Sequence, residues 1–200
     1  VCDGDGSCAN PPCSFDGAKW DCSNAACGRP FLVDAQALTA PTAPRDDWRG
    51  LLAAPRPVAP ELAARLAAYW TEIGRLEHAS VAAFAQFVLQ LLAVGAPPEL
   101  VLGAQQALAD EVEHARLAFG LASLYLGTGV GPGALMTTGA GAATDLPALV
   151  DAVIREACLG ETLAAFEARE AAERAEDPAV QAPLRKIAGD EQRHAELGWR

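Results

Sequence analysis

Lysine is nearly missing from this 200-residue chain, which has only Lys19 and Lys186, and 15 Lys+Arg face 26 Asp+Glu for a net charge of −11. With no basic cluster to offset that charge, nucleic acid is excluded as a partner class. No stretch shows the apolar/polar alternation of a half-buried strand, which argues against a sheet protein. No C-x-x-C pair occurs, which argues against a rubredoxin-type or zinc-ribbon site and removes a built-in electron donor of that kind. Apart from Cys158, cysteine is absent after residue 27.

What is present falls into three regions. Cys2, Cys8, Cys13, Cys22 and Cys27 crowd into a 1–40 stretch too rich in Gly, Pro, Asn, Asp and Ser to build its own core. That usage predicts an irregular, disulfide-bonded segment and an extracytoplasmic location, whether periplasmic, envelope-attached or secreted. Five is odd, so one thiol is free or pairs upstream of Val1, and the missing initiator Met and apolar signal region read as a processed chain. Residues 41–60, with Pro41, Pro44, Pro55, Pro57 and Pro60, are expected to form a semi-rigid linker. Residues 61–200 carry apolar residues at three- and four-residue intervals among many of the chain's 44 alanines, an all-α pattern that favours close helix packing.

Punctuation by Pro and Gly places four helices, at 60–94 with a break expected near Gly74, at 98–126, at 146–175 and from 178 onward. The nearly uncharged run 79–96 is at the short end for crossing a bilayer and has apolar-striped neighbours to cover it, so no membrane span is expected.

Two of these helices repeat each other. Asp110-Glu111-Val112-Glu113-His114-Ala115-Arg116-Leu117 and Asp190-Glu191-Gln192-Arg193-His194-Ala195-Glu196-Leu197 share the pattern D-E-x-x-H-A-x-L, and with three His and 14 Glu in the chain coincidence is a poor explanation. Glu and His three apart project from one helix face, so each helix offers a carboxylate and an imidazole to one point. Both pairs interrupt apolar stripes. The first helix does the same with Glu77 in the stripe Trp70, Ile73, Val81, Phe84, Val88, Leu91. The third does so with Glu161 in the stripe Val150, Ile154, Ala157/Cys158, Ala165, Ala168. Glu156, Glu167 and Glu170 are expected on the solvated face.

Hairpin symmetry gives a second test. The midpoint of Glu77 and Glu111 is residue 94, beside the turn at 95–98, and that of Glu161 and Glu191 is residue 176, beside Asp177-Pro178. Glu77, Glu111, His114, Glu161, Glu191 and His194 are thus predicted to lie in one layer. Four uncompensated carboxylates in an apolar interior would each cost several kcal/mol, and two divalent metal ions would neutralise them. A metal-free polar network is the plainer alternative. Asp110 and Asp190 are placed to hydrogen-bond the non-coordinating nitrogen of the His on the opposite helix. His78 points about 100° from Glu77 and is expected at the surface or supporting the site. Cys158 is read as a small buried hydrophobe, and Tyr69 and Tyr125 as too far along their helices to hold a radical near the site.

One Glu from each of two helices with Glu-x-x-His from each of two others resembles the ferritin-like di-metal carboxylate proteins. Residues 76–85 (Leu-Glu-His-Ala-Ser-Val-Ala-Ala-Phe-Ala) and 160–162 (Gly-Glu-Thr) also resemble bacterial ferritin-like domains of unassigned function. The resemblance covers about 70% of the chain. It implies a ferritin-like four-helix bundle with one long crossover between helices 2 and 3, and two bound Fe ions, with Mn or a mixed Fe/Mn pair as alternatives. It also implies oxidoreductase or ferroxidase-like chemistry with O2 or H2O2 and an unidentified electron donor. The Gly-rich link at 127–145 fits that topology. Helices of ~30 residues are ~45 Å long, and 20 extended residues reach ~65 Å, enough to return the chain along the full height. The rival expectation is a non-catalytic exported metal-binding or envelope-associated module. A storage cage is disfavoured by the 60-residue appendage, and a homodimer is compatible with the pattern. Helix 4 has few residues after His194, which reads as a bundle that continues beyond Arg200.

Overall fold

The computed structural model describes residues 29–34, 36–141 and 145–200, together with the backbone of two short strands, β1 (Ser14–Phe15) and β2 (Trp20–Asp21). The five N-terminal cysteines, and with them the expected disulfides, lie outside the described residues.

The described chain is mostly helical. α1 runs Pro60–Ala93 and α2 runs Pro98–Leu126, each opened by a proline whose missing N–H would have had no partner in the first turn. Gly95, at φ 69°, turns the chain between them, and Gly127, at φ 76°, closes α2 in the left-handed conformation. The third helical rod spans 146–174 in three joined parts: α3 (Leu146–Ala152), a π-helical stretch (Val153–Glu161) and α4 (Thr162–Arg174). α5 (Pro178–Gly198) follows. Asp145 caps α3 by accepting from the Ala148 N–H at 3.1 Å, and Asp177 caps α5 by accepting from Ala179 N–H at 2.9 Å.

The π-helical stretch corrects the expected inner face of the third rod. Val150 and Ile154 are exposed, at 48% each, while Leu149, Ala157, Cys158 and Glu161 are buried. On a regular helix the positions 149, 153, 157 and 161 drift around the axis. The wider π turn rotates the residues that precede it relative to Glu161, which periodicity of 3.6 cannot anticipate. Gly74 is likewise no break. α1 passes through it unkinked, and a Cβ there would stand 3.0 Å from the ring of Phe119 on α2, so this glycine is a close-approach point.

α1 packs along α2 and α4 along α5. α5 runs antiparallel to its neighbours on both sides: Gly198 lies against Ala157 and Leu197 against Gly103, so its C-terminal end meets the start of the third rod and the start of α2. Three apolar clusters form the interior of the described residues, one of them Phe31 against Ala79 and Ala83, and the other two lie along the helices. Of these two, one gathers Trp70, Leu121, Ala172 and Leu184, and the other Phe84, Phe87, Leu91, Ala104 and Leu149. Along α1 and α2 the polar layer falls between them.

Short strands flank the helices: β3 (Leu32–Val33) pairs with β4 (Gln36–Ala37), and β5 (Thr42–Ala43) with β6 (Gly131–Pro132), all antiparallel. Residues 41–59 are strapped to the helices. Gly50 N–H donates to the Arg116 carbonyl at 3.0 Å, Arg56 N–H donates to Asp177, and Gly120 leaves room for Gly50 and Leu52.

Candidate metal centre

Each helical rod contributes to one buried polar layer because each interrupts its apolar stripe there. The structure brings all six sequence-derived residues together in two overlapping groups. Ligand atoms of Glu77, Glu111, His114 and Glu191 lie within 4.8 Å of one another, as do those of Glu111, Glu161, Glu191 and His194. Glu111 and Glu191, the carboxylates of the repeated motif, belong to both groups. Glu111, His114, Glu161, Glu191 and His194 are all at most 3% exposed, and Glu77 is the most open, with its side chain 16% exposed.

The imidazoles present Nδ1 to this layer. His194 Nδ1 is 3.2 Å from both Glu111 and Glu191, and His114 Nδ1 is 3.3 Å from Glu191 and 3.8 Å from Glu77. Their Nε2 atoms point outward to the acids beside the motif glutamates, reciprocally: His114 Nε2 to Asp190 at 2.9 Å, His194 Nε2 to Asp110 at 3.3 Å. Arg193 ties the two acids together, at 2.7 Å from Asp190 and 3.2 Å from Asp110, and Lys186 adds a 2.7 Å contact to Asp190.

The electrostatics show a site without its compensating charge. Burial raises the Glu77 carboxyl to about 8 and, helped by Glu191 and Glu111, raises Glu161 well above the usual range. Burial opposes protonation of the histidines, yet Glu111 and Glu191 outweigh it and push His194 up to about 10. His114 is likewise raised well above its usual value against burial by Asp190, Glu111, Glu191 and Glu77. Glu191 and Asp190 are held low despite burial, both through His114, with His194 adding for Glu191 and Lys186 and Arg193 for Asp190. The shifts thus favour the protonated forms of Glu77, Glu161 and both imidazoles.

The donor set fits a metal ion. Glu111 Oε2, His114 Nδ1 and both Glu161 oxygens are buried with no hydrogen-bond partner, and all three residues belong to the two groups. Leaving four such atoms unsatisfied would cost about 1–3 kcal/mol each, and coordination satisfies them together. Cys158 is not part of either group. Its thiol, pushed up by burial, donates to the Gly198 carbonyl at 3.2 Å.

Several further residues qualify the sequence expectation or escaped it. His78 is half-buried under Trp48, ring centroids 5.0 Å apart and edge-on. Glu156 is only partly solvated: it lies 3.5 Å from Arg29, a guanidinium only 2% exposed that stacks on Phe87 at 4.0 Å and Phe84 at 5.0 Å. Glu167 lines a cavity that also touches Glu77 and Glu191, while Glu170 pairs at the surface with Arg174. Tyr69, two turns before Glu77, lines the same cavity. Arg29 carried no signal, since it lies in irregular chain. Lys186 was legible as an i,i+4 partner of Asp190.

Comparison of the chain with protein-family models, curated proteins and solved structures finds no match.

Proposed function

We propose that residues 61–200 form a ferritin-like four-helix bundle that binds two iron ions, or manganese or a mixed pair, and that the protein is a di-metal oxidoreductase or ferroxidase-like enzyme acting on O2 or H2O2. The observation that carries this reading is the pair of four-residue groups sharing Glu111 and Glu191. Two ions held by separate residues would need two separate sites. Glu111 and Glu191, common to both groups, instead place the two candidate positions next to each other, so that these residues would help to hold both ions. The one-crossover topology is supported by α5 running antiparallel to both α2 and the third rod, which leaves residues 127–145 to carry the chain back along the height.

Held by Glu77, Glu111, His114, Glu161, Glu191 and His194, a pair of redox-active ions would supply the electrons for chemistry on an oxygen species. The chain's own residues do the rest. Carboxylates and imidazoles, with no thiolate, suit Fe and Mn, and four carboxylates neutralise two divalent ions. Asp110 and Asp190 accept from the histidine Nε2–H groups and so leave each Nδ1 free as a ligand. Buried apolar residues on both sides of the layer, Trp70 and Leu184 on one and Phe84 and Phe87 on the other, exclude water.

Cysteine usage at 2–27 is the only ground on which we place the protein outside the cytoplasm. The experiment is metal analysis of protein purified with iron available, followed by stopped-flow absorbance after mixing the ferrous form with O2. Two metals per chain and a transient absorbance with turnover support the enzyme. Slow stoichiometric uptake without turnover leaves a metal-binding module, and well under one metal per chain removes the reading.

A further inference from the structure

A cavity of about 120 Å³ lies between α1, α4 and α5. Its inner end is made by Glu77 and Glu191, which both belong to one candidate metal position. From there it follows α1 past Ile73 to Trp70 and Tyr69, two helical turns or ~11 Å away. Tyr69 is 50% exposed and Trp70 4%, so the outer rim opens to solvent while the wall beyond it is buried. The space exists because α4 presents Ala164, Ala168 and Ala171 to it, opposite Leu184 and Ile187 of α5. Larger side chains at those alanines would close it.

The wall chemistry selects the occupant. Apart from Tyr69 and the Trp70 indole N–H the polar groups are carboxyls: Glu77 and Glu191 belong to the candidate metal position, whereas Glu167 lies outside it and would repel an anion in a low-dielectric space, with no cationic side chain on the wall to offset it. The remaining surface is aliphatic or indole. An apolar cavity of about 150 Å³ takes up benzene, so a space somewhat smaller suits a compact neutral molecule of about four to five heavy atoms. The larger hollow of about 250 Å³ between α2 and α5 differs in kind: Asp110, Arg193 and Arg200 line it, and it meets His194 on the Asp110 side.

We propose that this cavity is the binding pocket for a small, neutral, largely apolar organic molecule, held with one end against Glu77 and Glu191. The inference deepens the di-metal reading and rests on it for what the inner end contains. Saturation-transfer NMR on the metal-loaded full chain tests it, with cyclopentane as probe and butyrate as the anionic control. Cyclopentane binds saturably, butyrate gives no signal at the same concentration, and Ala168→Phe weakens cyclopentane at least tenfold with metal still at two per chain. Ala171→Leu, a smaller filling, repeats the test should Ala168→Phe fail to fold. Xenon under pressure appears between Trp70, Ala168 and Leu184 in crystals. Equal binding of butyrate, or cyclopentane binding undiminished in both variants, overturns the pocket. The two readings fail separately: two metals without cyclopentane binding removes the pocket alone, and cyclopentane binding to a chain that takes up no metal removes the di-metal reading alone.

Discussion

Asp190 stands 2.9 Å from His114 Nε2, on the side of the ring opposite the nitrogen that faces Glu77 and Glu191. The ring is therefore clamped between an outer acid and the inner carboxylates. Outer partners of this kind are worth about 10–100-fold in metal affinity. Asp190→Ala is expected to weaken metal binding within that range, measured by competition with a chromophoric chelator. Asp110→Ala is expected to cost less, because its contact to His194 is longer at 3.3 Å. Equal affinities in wild type and Asp190→Ala would remove the orienting role.

The two groups overlap only through Glu111, Glu191 and the space between them, which makes stoichiometry diagnostic. Glu77 belongs to one group and Glu161 to the other. Glu77→Ala and Glu161→Ala should each lower metal content from two to about one per chain, whereas Glu111→Ala combined with Glu191→Ala should leave well under one. Elemental mass spectrometry reads this directly. Two metals retained in Glu77→Ala would mean that the first group is not a metal position.

The six-residue cluster was legible because helical periodicity and hairpin distance are one-dimensional quantities, and a Glu in an apolar stripe stands out against them. What stayed hidden depended on three-dimensional approach. Gly74 reads as a helix weak point until the Phe119 ring is found against it. Val150 and Ile154 leave the expected inner face, and Leu149 is buried instead, because the π-helical stretch changes the turn width, and no residue type announces that. Tyr69 is far from Glu77 along the helix but shares a cavity with it, since the alanines that open that space sit on another helix.

Protonation of the metal-free cluster sets a pH dependence whose sign follows from the direction of each shift. Glu77 rises to about 8 in the fold, so its contribution is intact at low pH and is lost as pH climbs through 8. His194 rises to about 10, so its stabilisation is present below about 6.5 and lost as pH climbs through 10. Glu191 and Asp190 are lowered, so theirs is present above about 4 and lost as pH falls. Metal-free protein should be most stable at roughly pH 4–6 and weaken toward pH 9, seen in thermal melts. Metal displaces these protons, so loading should release protons and tighten with pH, read by calorimetry in buffers of differing ionisation enthalpy. Proton uptake on loading would contradict the assignment.

Arg29, buried, pairs with the partly buried Glu156, and the two halves of the pair are not equivalent. Arg29 is 2% exposed, lies 3.5 Å from Glu156, and its carbonyl accepts from the Ser80 hydroxyl at 2.8 Å. A guanidinium keeps its proton even when buried, whereas Glu156, raised by burial, can take one up and become neutral. Glu156→Leu therefore strands a charge and should cost about 3–5 kcal/mol, lowering Tm on the order of 10 °C. Arg29→Met should cost less, because it leaves a carboxyl able to neutralise itself. The double variant should recover much of the loss, since the guanidinium's place over Phe84 and Phe87 is then filled by an apolar side chain. Metal content serves as the control, because neither residue belongs to the two groups. Additive losses in the double variant would show that the pair is not coupled.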